Sequence, residues 1–457
     1  MRSKAQKAQD LMDAEDPTTF ALDDLRRRME KTGDQWIAVD QPIHGAQHAT
    51  FGSQLYASDG SGLAEAYLGA WLAARLRKDA TPLDLCPSHG LSESQAAAAR
   101  LVLSSPVSCL YGGPGTGKTY TAREIVRALR KAGLTVQGAA FTGAAASRLG
   151  ELTGLECRTL HKSLGYRPRR SAGPVPAEEG DRAGVFTVSE LLCDALVIDE
   201  GSFLGPALLL AAARRLRPGA RLILIGDPNQ LYSPEPGALY EQIIQVAPAA
   251  ALTEIRRTDK DSPIGQAAVD ILAGRVPQTQ HAEGNGFALI PVEHMRQMRI
   301  GSDGVRPRNH PLQTAEHLAE IGAQPLSSVA TMAATNRTCE ALNEDFFRHR
   351  RERRSPAPYM CIRNTIDEES GEYVFNGDVG LWAGSDGEDR LLIDFGNGPV
   401  SMPRPSLKPA WCRTAHKSQG KEYDSAQYIA EPSSTRRAVY TAVTRGRKRV
   451  LLLGTLD

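Results

Sequence analysis

Apolar positions recur along this chain at two spacings, and the way the two alternate is its main architectural signal. Spacings of three and four mark amphipathic helices, whereas short unbroken apolar runs mark buried strands. FALDDLRRRMEK (20–31) and GLAEAYLGAWLAARLRK (62–78) have the helical spacing, and the stretch DQPIHGAQHATFG between them reads as irregular. DATPLDLCPSHG (79–90) reads as a linker. SESQAAAARLVL (92–103) is helical, with Ser92 as N-cap and Gln95 completing a capping box. VSCLY then runs through a glycine loop into the helix TAREIVRALRKAG. LTVQGAAF is a strand, AAASRLGELTG a helix, and ALVIDE (195–200) and RLILIGD (221–227) are short apolar strands ending in acidic residues. Strands alternating with helices predict a mostly parallel sheet covered on both faces.

The Pro-, Gly- and charge-rich segment 166–186 interrupts this pattern as a loop or small protruding element. A second α/β pattern starts near SSVATMAATNRT (327–338). Short strands punctuated by Gly, Asn and Asp at 358–402 form a small β module inserted in it. AWCRTAHKSQG, SAQYIA, RRAVYTAVTRG and KRVLLLG complete the second unit.

Composition changes this picture little. The 457 residues are 41% hydrophobic and 23% charged, which is ordinary for a water-soluble protein, and the length suggests roughly three domains. With 54 Lys and Arg against 53 Asp and Glu, the net charge of +1 shows no overall basic balance. A local basic groove on a neutral protein would still hold nucleic acid. The seven cysteines (86, 109, 157, 193, 339, 361 and 412) form no CxxC pair, so neither zinc nor a disulfide framework is indicated and buried reduced thiols are expected. No apolar run is long enough for a membrane span and no signal-peptide pattern occurs, so a cytoplasmic setting is expected.

The chemistry is concentrated in a few places. GGPGTGKT (112–119) matches G-x-x-x-x-G-K-[ST] between a strand and a helix. Gly112, Gly113, Pro114, Gly115, Thr116 and Gly117 form the curl whose backbone N–H groups meet phosphates. Lys118 would hold the β and γ phosphates, and Thr119 would help hold Mg²⁺. ALVIDE delivers Asp199 to the metal and Glu200 as the base for the attacking water. LILIGDPNQL places Asp227 and Gln230 at the tip of another strand, where the amide can orient water or sense the γ-phosphate. Arg257 in TEIRRTDKDS and Arg445 in YTAVTRGRKR are candidates for stabilising charge on the transferring phosphoryl.

In order, these segments resemble the motifs of superfamily 1B helicases, the RecD/Dda-like group, over roughly residues 90 to 457. GLSESQAAAA resembles the adenine-side segment, with Gln95 at the position that reads adenine. GGPGTGKT resembles motif I, FTGAAASRL and RTLHKSLGY the motifs that contact single-stranded DNA, VIDEGSF motif II, and GDPNQL motif III. LTEIRRTDKDSPI resembles motif IV, RTAHKSQGKEYD motif V, and VYTAVTRGRKRV motif VI. The resemblance implies an ATP- and Mg²⁺-dependent, 5′-to-3′ DNA helicase that hydrolyses ATP, of a kind used in DNA replication, repair and recombination. Arg257 and Arg445 would be arginine fingers and Glu422 would approach the sugar. Thr142, His161, Thr414 and His416 would lie along the strand. Phe203, Tyr232 and His161 could stack on bases, with core packing an equal reading for Phe203 and Tyr232. The family usually has alanine after the motif II acidic pair, where this chain has Gly201.

The implied fold is α/β, with two RecA-like parallel-sheet domains in tandem. The first (1A, 86–255) carries a small β-hairpin pin at about 166–186. The second (2A, 256–457) carries an SH3-like insertion (2B) at about 350–405. Residues 1–85 are expected to be a mainly helical accessory region, open to a protein partner. Expected partners are single-stranded DNA and single/double-strand junctions, without a membrane, and the chain is expected to be a monomer. Two other readings stay open: a single-strand translocase or remodeller that does not unwind, and a nucleotide-gated scaffold or loading factor. RNA in place of DNA is a further one.

Overall fold

The computed structural model describes residues 37–39, 47–51, 54–58, 61–78, 80–85, 90–167, 185–233, 238–254, 262–282, 285–290, 329–349, 357–363, 365–366, 373–374, 377–396 and 398–454. The chain divides into two compact units, one of residues 1–228 and 232–254, the other of 229–231 and 255–457.

The first unit is built on a six-stranded sheet. Its order is Ala249–Leu252, Val107–Gly112, Arg221–Gly226, Ala195–Asp199, Val136–Ala140, Cys157–Thr159, and every pairing is parallel. The two strands read as unbroken apolar runs, 195–199 and 221–226, are buried throughout, as a sheet covered on both faces requires. Successive residues point to opposite faces. Leu196, Ile198, Leu222 and Leu224 join one core, and Ala195, Val197, Ile223 and Ile225 join the other, with Leu103, Ile125 and Leu129. The parallel pairing brings the carboxyl ends of three adjacent strands together, where open parallel sheets bind ligands.

The described residues of the N-terminal region include the expected helix near 62–78 and also strands, in a stretch read from sequence as irregular. Among its described residues, Ile37–Val39, Gln54–Ser58 and Gln47–Phe51 form an antiparallel sheet in that order. The helix Ser61–Leu76 belongs to the first unit's core through Leu68 and Leu72. Buried Arg75 fixes it there, its Nη2 donating to the carbonyls of Arg217 (2.9 Å) and Ala220 (2.5 Å). The segment read as a linker is also anchored: Leu83 and Leu85 pack against the core, and Arg221 Nη2 donates to the Thr81 carbonyl. The helical pattern at 20–31 lies outside the described residues.

The excursion at 166–186 begins and ends as an antiparallel pair, Tyr166–Arg167 with Val185–Phe186. Residues 168–184 lie outside the described residues.

The second unit repeats the plan. Its sheet runs Gln280–Ala282, Asn285–Ile290, Gly446–Leu453, Tyr423–Ile429, Val329–Ala333, Cys412–Thr414, parallel except at the first pair. Asn343, on the helix Asn336–His349, clamps the edge strand: its Nδ2 donates to the Cys412 carbonyl and its Oδ1 accepts from the Cys412 N–H, both at 2.8 Å. The inserted β module is a five-stranded antiparallel sheet, Pro399–Pro403, Arg390–Asp394, Val379–Ser385, Pro358–Cys361, Leu407–Pro409. It has its own apolar cluster around Cys361, Leu391, Ile393, Val400 and Met402. Among the described residues no helix is long and apolar enough to cross a membrane. The six described cysteines are free thiols, and burial pushes Cys109 up to about 12.

Candidate nucleotide site and strand-contact residues

The glycine loop leaves the strand Val107–Gly112 and opens the helix Lys118–Lys131. Gly117, at the helix N-cap, adopts φ +84°, and a Cβ there would lie 2.4 Å from Gln95 Nε2. A Cβ on Gly112 would lie 2.4 Å from the Leu252 carbonyl oxygen. Glycine is required at both: at Gly117 by the turn and the close approach, at Gly112 by packing alone. Thr116 Oγ1 donates to the Gly113 carbonyl (2.8 Å), which closes the loop. Lys118 Nζ donates to the carbonyls of Gly112 (2.7 Å) and Gly113 (3.0 Å), so the ammonium lies over the curl. Thr119 follows it in the first helical turn.

Gln95 is held against this loop by the capping box expected from sequence. Its backbone N–H donates to Ser92 Oγ (3.2 Å), its Oε1 accepts from the Ser92 N–H (3.1 Å), and its Nε2 donates to the Thr116 carbonyl (3.3 Å). A local helix cap thereby positions the residue expected beside the base.

Asp199 ends its strand almost fully buried. Burial pushes its carboxyl above the ordinary value, opposed by the Glu200 N–H (2.8 Å to Oδ1) and by the positive charges of Lys118 and Arg148. Glu200 has φ +57°, which no other described non-glycine residue shares in sign. An L-residue held there costs on the order of 1–3 kcal/mol and persists only where its surroundings impose it. The loop's glycine curl, Lys118 over it and a buried carboxylate within reach of the Lys118 charge fit a nucleoside triphosphate with its divalent cation.

The remaining expected residues fall elsewhere. Asp227, at the end of the strand Arg221–Gly226, is buried. Asn229–Leu231 group with the second unit. There Gln230 Oε1 accepts from Gln419 Nε2 (3.1 Å), its carbonyl accepts from Arg437 Nη1 (3.2 Å), and the Leu231 N–H donates to Thr441 Oγ1 (3.0 Å). Arg445 is buried in that unit. Its Nε donates to the Thr441 carbonyl (3.1 Å) and its Nη1 to the Lys421 carbonyl (3.3 Å). Glu422 is half-buried on the same turn. Arg257 lies outside the described residues.

Of the residues expected along a strand, Thr142 caps the helix Gly143–Thr153, its Oγ1 accepting from the Ala145 N–H (3.2 Å). Thr414 is buried at the end of its strand, and His416 is exposed on the turn that follows. His161 is half-buried, and burial lowers its imidazole below the ordinary 6.5. It belongs to a chain of rings that sequence reasoning did not connect. Phe203 packs on Phe141 at 5.4 Å, Phe141 on His161 at 6.0 Å, His161 on Tyr166 at 5.3 Å, and Tyr166 on Phe186 at 5.5 Å. Phe203 is a core residue. Tyr232 is half-buried, with its hydroxyl donating to Glu241 Oε2 (3.0 Å).

A family model described as an AAA domain matches residues 90–288. The ATP-dependent RecD2 DNA helicase of Deinococcus radiodurans is 30% identical over 392 residues, which are 80% of this chain and 49% of that protein. The RecBCD enzyme subunit RecD of Mycolicibacterium smegmatis is 28% identical over 421 residues, 79% of this chain and 71% of that one. Over about four fifths of its length this chain is thus similar to a RecD2 helicase and to a RecD subunit. It spans about half the length of the first of these relatives. A Bacteroides Pif1 structure with bound single-stranded DNA aligns with a TM-score of 0.47 at 17% identity, covering 80% of this chain and 92% of that one.

The chain's departure from the RecD-like pattern after the acidic pair has a packing cause. The ring of Tyr240 lies between Gly201 and Gly226, the residues that follow Glu200 and precede Asp227. A Cβ on Gly201 would lie 3.0 Å from Tyr240 Cε2, and one on Gly226 would lie 2.9 Å from Cε1 and Cζ. The buried Tyr240 hydroxyl donates to the Leu110 carbonyl (3.2 Å), on the strand that leads into the glycine loop. One side chain thus touches all three strand ends, and Gly201 makes room for it.

Proposed function

We propose that the chain is an ATP-dependent motor on single-stranded DNA that travels 5′-to-3′ and uses ATP hydrolysis to open duplex. Lys118 holds the β and γ phosphates over the curl Gly112–Gly117, and Gln95 reads the base. Thr119 and Asp199 would hold Mg²⁺, which would supply charge neutralisation at the phosphates. Glu200 takes the proton of the attacking water. Gln230 senses the γ-phosphate, and Arg257 and Arg445 supply positive charge to the transferring phosphoryl. Glu422 approaches the sugar. Thr142, His161, Thr414 and His416 follow the strand by contacts that need no sequence preference. Residues 166–186 act as the wedge at the junction.

The observation that supports this reading best is Glu200. A glutamate whose backbone is held at φ +57°, next to a buried aspartate that feels the charge of the loop lysine, is a costly arrangement. Strain of that kind collects where a group must be aimed. The test is ATP turnover and strand separation on duplexes with a 5′ or a 3′ tail, run with the parent and Glu200→Gln. Expected are unwinding of the 5′-tailed duplex only and a loss of roughly 10²- to 10⁴-fold in turnover for the variant with the fold intact. Normal turnover in Glu200→Gln, or equal opening of both duplexes, would overturn the assignment.

A further inference from the structure

A second concave site lies wholly inside the second unit, between its parallel sheet and the inserted β module. It is a cleft of about 300 Å³. Its polar side chains include Arg413 and Lys421 from the segment resembling motif V, Thr331 from the sheet and Asp394 from the β module, and its walls include Trp411, Tyr423 and Phe395. Nothing in the proposed ATP cycle uses Arg413 or the Lys421 side chain.

Arg413 is almost fully buried, and its Nη2 donates to the Tyr423 hydroxyl at 3.0 Å. The guanidinium carbon lies 5.6 Å from the centroid of the Tyr423 ring. Arg413 Nε is buried and makes no hydrogen bond among the described residues. A buried guanidinium N–H without an acceptor is expensive. Lys421 stands near enough for the two positive charges to oppose one another. Burial first, and then Arg413, hold its ammonium below the ordinary range, against Tyr423 and the Asp378 carboxylate. Asp394 Oδ1 already accepts from the N–H groups of Gly396 (2.7 Å) and Gly398 (3.2 Å), which offset its charge. The cleft therefore combines two cationic side chains with aromatic walls and one carboxylate acceptor. Mostly apolar walls with a few convergent polar groups are the general features of a small-ligand site.

We propose that this cleft binds a small organic anion built on a flat ring, of the size of a nucleoside monophosphate or an aromatic carboxylate. Arg413 and Lys421 receive the anionic group, the ring lies against Trp411 and Tyr423, and Asp394 accepts from a ring N–H where there is one. The site does not depend on the motor reading, since none of its residues has a role in the ATP cycle proposed above.

The test is calorimetric titration of the full chain, with ADP added to fill the glycine loop and oligo(dT) to fill the strand site. The probes are thymidine 5′-monophosphate, benzoate and inorganic phosphate. One-to-one binding of the nucleotide or of benzoate is expected, and which of them binds tighter identifies the source. Inorganic phosphate is expected to bind at least about ten-fold more weakly, because it buries no ring. Arg413→Met and Lys421→Met should each weaken binding by at least about ten-fold. Lys421 is only half-buried, so its variant keeps the test valid if Arg413→Met fails to fold. Absence of binding by both organic probes, or unchanged affinity in both variants, would overturn the proposal.

Discussion

Gly201→Ala is the sharpest test of how the strand ends at the proposed ATP site are held. The new Cβ would lie 3.0 and 3.1 Å from Tyr240 Cε2 and Cδ2 and 3.1 Å from the Ile225 carbonyl oxygen. Gly201 does not need a positive φ, so the penalty is steric and not conformational. Overpacking of one methyl against a buried ring costs about 1–3 kcal/mol, and the lower entropy of the unfolded alanine chain returns about 0.4–1 kcal/mol. The net loss expected is about 1–2 kcal/mol. Relaxation by a few tenths of an ångström also moves Glu200, the adjacent residue, and turnover should fall about three- to ten-fold. Tyr240→Leu alone removes the ring and its bond to the Leu110 carbonyl, at about 2–3 kcal/mol. In the double variant the alanine methyl occupies space the ring has vacated. The combined loss should therefore fall short of the sum by about 1 kcal/mol. Urea unfolding followed by circular dichroism gives the stabilities, and ATP turnover at saturating substrate gives the rates. Strict additivity, or Gly201→Ala matching the parent in both assays, would refute the idea that Tyr240 requires glycine there.

Other consequences follow from the same geometry. Ser92→Ala removes the acceptor of the Gln95 N–H and should cost about 1 kcal/mol in stability. Gln95→Ala, which also loses the bond to the Thr116 carbonyl, should raise the KM for ATP more than it lowers kcat. Tyr166→Ala removes two ring contacts at the base of the 166–186 excursion, each worth about 0.5–1.5 kcal/mol. Tailed-duplex unwinding should then fall by at least about five-fold while strand-stimulated ATP turnover stays within about two-fold. His161 is held below its ordinary 6.5 by burial, so below that pH the unfolded chain takes up the proton first. Its contribution to stability is complete above 6.5 and is lost as pH falls, so melting temperatures should drop as the pH is taken below 6.5. Part of that drop should be missing in His161→Gln.

Local signals were legible in the sequence, and signals that depend on distant packing were not. The capping box of Ser92 and Gln95 is contained in four residues, and the strands ending at Asp199 and Gly226 are continuous apolar runs, so each could be read in place. The N-terminal strands Gln47–Phe51 and Gln54–Ser58 are not evident from sequence because each is only five residues long and neither is a continuous apolar run. The two-residue Gly52–Ser53 spacer between them was the available hairpin signal. The helix Ser61–Leu76 was legible, but its docking was not, because the carbonyls that receive Arg75 come from Arg217 and Ala220. Gly201 was visible as a departure from the family pattern, yet its reason is Tyr240, far along the chain. Arg413 and Lys421 fall in the segment that resembles motif V and had no role assigned there, and only the folded β module shows that a separate cleft forms around them.

The most direct test of the account as a whole is steady-state ATP turnover with and without oligo(dT), in the parent and in Arg445→Ala. Strong stimulation by the strand in the parent, and loss of the stimulated rate in the variant with oligo(dT) binding retained, are predicted. Equal turnover in the presence and absence of the strand, or a fully stimulated rate without the Arg445 guanidinium, would contradict it.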